Sequence, residues 1–206
     1  MNNTLKRKLL GYTAATGAVL AVLPACKKEG GSGTPADSIS KNSLNPQNNG
    51  DSCLIDFDGD GITDVTIYSY SYAYSYGGYN YSYAYTNIYG RNGSKILSQP
   101  GSVNIGTYTY NYLGASRLAE GTSIGPSSSI WSDTGGYGAM NISAYGYNVT
   151  AGQFLGADGF VGVQFQAGGS THYGWVRLSV GNNGKTANIS SAGFNPNPDQ
   201  AINAGE

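Results

Sequence analysis

The residues with the clearest capacity for chemistry form a short acidic segment that begins at Asp56 and ends at Asp64. Aspartates stand at positions 1, 3, 5 and 9 of this segment, and a glycine stands at position 6. Alternate spacing turns carboxylates towards the inside of a tight loop, where they can surround a hard cation. Because Ca²⁺ binds about six to eight oxygens, the pattern predicts a calcium site. Its predicted ligands are four side chains and one main-chain carbonyl: Asp56, Asp58, Asp60, Asp64 and the carbonyl of Ile62.

The acidic segment differs from a helical EF-hand, which needs a glutamate at position 12, where Ile67 stands. It resembles the short calcium loops of FG-GAP and related extracellular β-repeats. The alternative is a solvated acidic turn before a strand, in which Asp and Gly serve only to make the turn. We favour calcium, because carboxylates this close together repel one another without a cation. The predicted site is structural, since nothing nearby resembles a nucleophile or a general base.

A second candidate for chemistry is Cys26, which follows a secretory signal. Three basic residues, Lys6–Lys8, precede an apolar run from Leu9 to Ala25, an order typical of export signals. The sequence Leu-Pro-Ala-Cys that ends at Cys26 resembles the bacterial lipobox, in which the cysteine sulfur accepts a diacylglycerol. We therefore predict a lipid anchor on Cys26 and an extracytoplasmic location, at the outer membrane or the cell surface. The alternatives are simple signal cleavage, or a disulfide between Cys26 and Cys53.

Composition divides the rest of the chain and limits its function. Residues 1–25 are the predicted signal peptide, residues 26–51 the lipidated cysteine with a flexible spacer rich in Gly, Ser, Asn and Pro, and residues 52–206 a single domain. The 206 residues include 32 glycines but only 11 basic and 12 acidic side chains, which excludes a coiled coil or a helical bundle. A net charge of −1 provides no field for nucleic acid.

Tyrosines alternate with small residues between Val65 and Tyr89, and this period of two predicts a pair of β-strands. Gly77 and Gly78 form the predicted turn, because glycine adopts the positive φ that tight hairpin turns need. Counting outward from this turn places tyrosines opposite tyrosines on one face and Ile67 opposite Ile88 on the other. The tyrosines predicted to bind a ligand are Tyr70, Tyr72, Tyr74, Tyr81, Tyr83 and Tyr85.

The sequence leaves open which face of this hairpin is buried. Burying every tyrosine would require a partner for each hydroxyl. An exposed row would form a flat aromatic surface for sugars or for another protein. A half-buried sheet, with packed rings and solvated hydroxyls, and self-association through the Ser-Tyr repeat are the other two interpretations.

Further short strands separated by turn residues predict an all-β fold, an antiparallel β-sandwich or jelly-roll-like domain. The predicted strands are residues 96–98, 106–113, 140–148, 160–167, 173–180 and 186–194.

Three segments in the second half of the chain carry a family resemblance. They are Gly-Phe-Val-Gly-Val-Gln-Phe at residues 159–165, Thr-His-Tyr-Gly-Trp-Val-Arg-Leu at 171–178 and Ile-Asn-Ala-Gly-Glu at 202–206. With residues 118–125 and the acidic segment, they resemble a family of secreted bacterial proteins, many of which end in PEP-CTERM-type sorting signals. The resemblance implies an extracytoplasmic β domain without catalytic activity, in which the N-terminal lipid replaces the C-terminal anchor.

Candidates for catalysis are few. His172 is the single histidine, and we interpret it as structural, bonded to a carbonyl and packed near Trp175. Arg177 shares a face with Trp175 and can stack there or bind an acid. The expected function is therefore non-enzymatic binding of a glycan through aromatic faces. The alternatives are an adhesive protein that self-associates through its tyrosine hairpin and, less favoured, a hydrolase that uses His172 with Asp133 or Asp158.

Overall fold

A computed structural model describes residues 38–47, 49–144 and 146–206. Within these ranges the secondary structure consists of strands, and there is no helix with the length and apolar character that a membrane span requires. The strands are β1 Ser38–Ile39, β2 Ser43–Leu44, β3 Gly50–Asp56, β4 Val65–Tyr76, β5 Tyr79–Gly90, β6 Lys95–Ile105, β7 Tyr108–Ala115, β8 Ser123–Ile124, β9 Trp131–Ser132, β10 Gly136–Ala144, β11 Tyr147–Ala151, β12 Ala157–Ala167, β13 Ser170–Val180, β14 Ala187–Phe194 and β15 Ile202–Asn203.

Thirteen of these strands form two layers that share one long strand, and β8 and β15 pair with each other in a separate two-stranded sheet. The first layer contains β1, β3, β4, β5, β10, β11 and β7, and the second contains β9, β12, β13, β14 and β2. Strand β6 joins them, because its first residues pair with β12 and its remainder pairs with β7. Pairing between these strands is antiparallel except for a parallel contact between β10 and β7, and Leu155, outside the strands, makes an isolated parallel bridge to Val180. The predicted all-β, antiparallel sandwich is confirmed.

Apolar side chains from both layers meet in the core, which is the larger of two hydrophobic clusters among the described residues. The rings of Phe57 and Phe165 stack with centroids 4.9 Å apart, and Phe194 packs edge-on against both. Ile67 and Ile88, which the sequence placed opposite each other, are fully buried here. Burying a large apolar side chain stabilises a fold by about 1.5–3 kcal/mol, so these residues hold the layers together.

The tyrosine hairpin has the predicted register along its whole length. Strand β4 pairs with β5 so that Tyr76 lies opposite Tyr79 and Ile67 opposite Ile88. Gly77 and Gly78 have φ values of 59° and 81°, the left-handed conformation predicted for the turn. The tyrosine face points away from the core, and the opposite face packs into it at the base of the hairpin, where Ile67 and Ile88 are buried.

The ordered sheet begins before residue 52, the predicted start of the domain. Strands β1 and β2 lie inside the segment predicted as spacer, and they pair with β3 and β14. Leu44 is fully buried against the core. Apolar residues that are isolated in a polar segment can thus supply short edge strands, which composition alone does not reveal.

The boundaries of the predicted strands shift in the structure, and two of the predicted strands differ most. The segment 96–98 is part of an 11-residue strand, β6, although Pro100 and Gly101 within it are typical turn residues. The segment 140–148 crosses from β10 into β11 and includes Gly146, whose φ is 80°. Pro100 and Gly101 thus do not end β6, whereas Gly146 lies in the turn between β10 and β11.

Candidate functional site

The acidic segment forms the loop that connects β3 to β4. Ile55 pairs with Val65 at its base, so the nine residues from Asp56 to Asp64 span a hairpin end. Carboxylate oxygens of Asp56, Asp58 and Asp64 lie within 4.8 Å of one another. This group could hold a metal ion, because three carboxylates offer hard oxygen ligands at one point.

Hydrogen bonds within the loop fix its carboxylates. The Asp56 carboxylate accepts bonds from the backbone N–H groups of Gly59 and Gly61, each at 2.8 Å. Asp64 Oδ2 accepts the N–H of Phe57 at 2.8 Å, and its other oxygen lies 3.4 Å from the Ser94 hydroxyl. The side chains at the two ends of the loop, Asp56 and Asp64, therefore close it by accepting hydrogen bonds from backbone N–H groups.

Burial sets the protonation behaviour of two of these acids. Burial raises the pKa of Asp64 to about 6, and the neighbouring charges of Asp58 and Asp56 act in the same direction. Burial and the charges of Asp60 and Asp56 also raise the pKa of Asp58. The neighbouring carboxylates thus add to the cost of ionising Asp58 and Asp64, a cost that a bound cation removes.

Of the four predicted aspartate ligands, Asp60 lies outside this group. Asp60 is exposed, and its Oδ1 accepts a bond from the N–H of Ile62 at 2.7 Å. The side chain of Ile62 is exposed to solvent. A local bond thus holds the Asp60 side chain, and the structure brings together Asp56, Asp58 and Asp64 of the predicted set.

The predicted lipidation site, Cys26, lies outside the described residues. Cys53 lies in β3 and is fully buried in the core. Its side chain therefore belongs to the packed interior of the sandwich.

The six predicted ligand-binding tyrosines lie on the outer face of the first layer. Exposure differs along the row: Tyr72 keeps 43% of its surface, whereas Tyr81 keeps 5%. The rings of Tyr74 and Tyr81 stack at 4.8 Å, and those of Tyr70 and Tyr85 stack at 5.2 Å. The remaining member, Tyr83, is half-buried. The row is therefore a packed aromatic layer. On β4 it becomes more exposed towards the hairpin tip, whereas on β5 its most buried member, Tyr81, is the one nearest the tip.

A groove of about 640 Å³ adjoins this row and was not predicted. It lies between β5 and β10 on one side and the β6–β7 hairpin on the other, where β7 and β10 pair only through Gly114 and Tyr137. At its far end the β6–β7 turn meets β11, since a Cβ on Gly106 would lie 3.2 Å from the Tyr147 ring. The lining residues are uncharged: Tyr83, Val103, Ile105, Gly106, Thr107, Tyr108, Tyr110, Asn111, Tyr112, Tyr137, Met140, Ile142 and Tyr147.

One signal for the groove was present in the sequence. Tyr108, Tyr110 and Tyr112 alternate within a predicted strand, as the tyrosines of the hairpin do. Of the predicted tyrosines, Tyr83 lines the groove. The others continue the aromatic face beside it.

His172 and Asp158, two of the candidates for catalysis, are not brought together. His172 is buried, its Nδ1 lies 3.0 Å from the Asn195 carbonyl, and its ring packs against Phe165 and Phe194. The carbonyl bond agrees with the prediction, but the expected packing near Trp175 is wrong, because residues three apart on a strand face opposite sides.

Asp158 pairs with Arg177 at 2.9 Å, towards the opposite end of the β12–β13 hairpin from His172. Arg177 also lies over the Phe160 ring, 5.4 Å from its centroid. The predicted ion pair of Arg177 is thus observed, and its cation–π contact is with Phe160.

Comparisons with protein-family models, with curated proteins and with solved structures found no match.

Proposed function

We propose that this protein is a non-enzymatic, lipid-anchored module outside the bacterial cytoplasm that binds a neutral glycan on its tyrosine face. The supporting observation is the uncharged groove of about 640 Å³ beside the tyrosine row. Binding sites for small ligands are typically concave, about 300–1,000 Å³ in volume and lined by aromatic groups with a few polar ones. Sugar rings present C–H faces that pack on aromatic rings, and tyrosine adds a hydroxyl for their polar edges.

Charge supports a neutral ligand. The groove offers hydroxyl and amide groups, such as those of Thr107 and Asn111, but its lining has no acidic or basic side chain. An anionic polymer would find no cation there to offset the loss of its hydration.

The acidic loop supports a separate, structural role for calcium in this proposal. Asp56, Asp58 and Asp64 supply the oxygen ligands that Ca²⁺ prefers. A cation there would pin the β3–β4 connection, and β4 is the first strand of the tyrosine hairpin. Calcium would thus stabilise the scaffold and take no part in contacting the glycan.

Binding of neutral oligosaccharides to the full chain in detergent tests this proposal. The probes are cello-, manno-, xylo- and malto-hexaose, measured by calorimetry. Tyr108→Ala removes a groove residue that is 71% exposed, and Tyr76→Ala is its control, since Tyr76 is 76% exposed but lies at the tip of another hairpin. We expect Tyr108→Ala to weaken binding about tenfold or more, equivalent to about 1.4 kcal/mol, and Tyr76→Ala to leave it unchanged. Equal effects of the two substitutions, or no binding by the wild type, would contradict the proposal.

A second candidate function, self-association, has one observation in its favour. Strand β3 pairs with β4 only as far as Tyr70, so no described strand covers the outer edge of Tyr72–Tyr76. Such an edge presents unpaired backbone groups that can add a strand from another chain.

Ala73→Lys places a charge on this edge and is expected to abolish any oligomer formed through it. Ser102→Lys, in β6, provides a control on a strand whose partner at this position is Asn111. Sedimentation velocity over a concentration series distinguishes the outcomes. A protein that stays monomeric at all concentrations would exclude this second function.

A further inference from the structure

A second, smaller cleft of about 250 Å³ opens on the same face of the molecule. It lies between the end of β5 and the segment that leads into β10. Its lining is uncharged, like that of the groove, and consists of Asn87, Tyr89, Leu113, Thr134, Gly135, Gly136 and Tyr137.

Asn87 distinguishes this cleft from an ordinary surface hollow. Its side chain is only 6% exposed, and its Nδ2 donates a hydrogen bond of 2.7 Å to the Tyr89 hydroxyl. Its Oδ1 is buried and has no hydrogen-bond partner among the described residues. Reversing the amide would leave the nitrogen unpaired instead, so either orientation leaves one buried polar atom without a partner. Proteins rarely retain such an atom, because burying it without a hydrogen bond costs free energy.

Close packing of the backbone shapes the cleft before any ligand arrives. A Cβ on Gly136 would lie 2.6 Å from the backbone nitrogen of Ala115, and one on Gly135 would collide with the Ile88 carbonyl. These glycines therefore let the chain pass directly against β5 and β7. The Tyr89 ring is fixed in turn, because the Arg91 guanidinium lies over it, 5.2 Å from its centroid.

The cleft and the groove meet at one residue. Tyr137 lines both, and its ring packs edge-on against Tyr85 and Tyr112, with centroids 6.0 Å away in each case. A chain-like ligand that lies in the groove can therefore extend past Tyr137 into the cleft.

We propose that the cleft holds one sugar residue of the neutral glycan and that Asn87 Oδ1 accepts a hydrogen bond from one of its hydroxyls. This inference rests on the proposed glycan-binding function and adds a residue that determines specificity. An unpartnered acceptor calls for a donor, an uncharged lining calls for a neutral ligand, and the rings of Tyr89 and Tyr137 offer aromatic surface beside it. A sugar hydroxyl meets all three conditions. A ligand that lacks a donor at this position leaves the acceptor unpaired and is rejected.

Asn87→Leu tests the proposal, because leucine has a similar volume but lacks polar atoms. We expect at least a tenfold loss of affinity for whichever of the four hexaoses binds the full-length wild type. The melting temperature should not fall, since the substitution also removes the unpaired atom. Asn80→Leu, an exposed position on the same strand, is the control and should bind normally. A purely structural asparagine would show the reverse, a lower melting temperature with unchanged affinity.

A second variant keeps the proposal open to refutation if Asn87→Leu does not fold. Thr134 is exposed at the cleft, so Thr134→Met narrows the cleft from outside the core and should weaken binding as well. A permethylated form of the bound hexaose, which lacks hydroxyl donors, should bind at least tenfold more weakly.

The outcomes separate the two proposals. Wild-type affinity in Asn87→Leu and Thr134→Met, together with loss of binding in Tyr108→Ala, would overturn the role of the cleft and leave the groove as the binding site. If none of the hexaoses binds the wild type, both proposals are overturned. This holds also if the protein binds peptides instead.

Discussion

Asp58 and Asp64 belong to the same loop but differ in their surroundings. Asp64 is 6% exposed and is tied to the N–H of Phe57, whereas Asp58 lies at the surface. The buried acid therefore anchors the loop, and the exposed one completes the oxygen cluster. A substitution at Asp58 therefore tests cation binding, whereas a substitution at Asp64 also tests how the loop is anchored.

The first prediction concerns the cation. Millimolar Ca²⁺ acting on a site of tens-of-micromolar affinity should stabilise the folded state by about 2 to 3 kcal/mol. Asp58→Ala should abolish this gain, because it removes one of the three clustered carboxylates. Asp133→Ala, at an exposed acid outside the loop, is the control. Thermal unfolding in Ca²⁺ and in chelator measures the gain, and identical curves for the wild type would rule out the site.

The second prediction concerns pH in the absence of metal. Burial raises the pKa of Asp64 from 3.8 to about 6, so between these values the folded state binds more protons than the unfolded state. The contribution of Asp64 to stability is therefore present below about pH 4 and is lost as the pH rises through about 6. In chelator, Asp64→Asn should cost less stability at about pH 7 than at about pH 4.5. A cost that does not change with pH would show that Asp64 titrates normally.

At the scale of elements, the tyrosine hairpin takes its register from nearby residues, but its attachment depends on a segment distant in the sequence. Its register follows from the alternation and the Gly77-Gly78 turn. The attachment of the hairpin to the sandwich does not follow from this local pattern. Ser69 and Thr86 share a buried hydrogen bond of 2.9 Å, and the Thr86 hydroxyl donates to the Gly184 carbonyl of the other layer at 3.0 Å. The base of the hairpin is thus held by the sandwich, and the distal half of β4 extends into solvent.

The third prediction compares two tyrosines on this hairpin. Tyr72 keeps 43% of its surface, so Tyr72→Ala removes mainly cross-strand contacts and should cost about 1 kcal/mol or less. Tyr81 is 5% exposed, so Tyr81→Ala leaves a cavity and should cost about 3 to 5 kcal/mol. Urea denaturation of both variants measures the free energy of unfolding. Equal costs would mean that the row is buried or exposed as a whole.

The pKa of Tyr85 reflects how the tyrosines pack at the base of the hairpin. Burial, together with the neighbouring tyrosines, raises its pKa to about 12. Ionisation of Tyr85 is thus displaced upward by the packed end of the row.

At the scale of the whole molecule, the proposed function places the domain at a membrane through a lipid on Cys26. The fourth prediction is that Cys26→Ser releases the protein from membranes or blocks its processing, because the thiolate is the predicted acyl acceptor. Metabolic labelling with a radiolabelled fatty acid measures the modification, and Cys53→Ser is the control, since Cys53 is buried in the core. Equal label in the wild type and in Cys26→Ser would contradict the anchor.

The sequence by itself determined the all-β class, the register of the hairpin and the position of the acidic loop. All three depend on residues close together in the chain: a period of two, a two-glycine turn, and carboxylates within nine residues. Such patterns are local, so backbone geometry alone converts them into structure.

Only the tertiary structure decided which tyrosines are buried, that β1 and β2 join the sheet, and that a groove and a cleft exist. The groove depends on Gly106 meeting Tyr147, and the cleft on Gly135 passing against Ile88. Periodicity states which residues share a face, but it does not state what packs on that face. Contacts between distant segments supply that information, and they form only when the whole sandwich closes around its core.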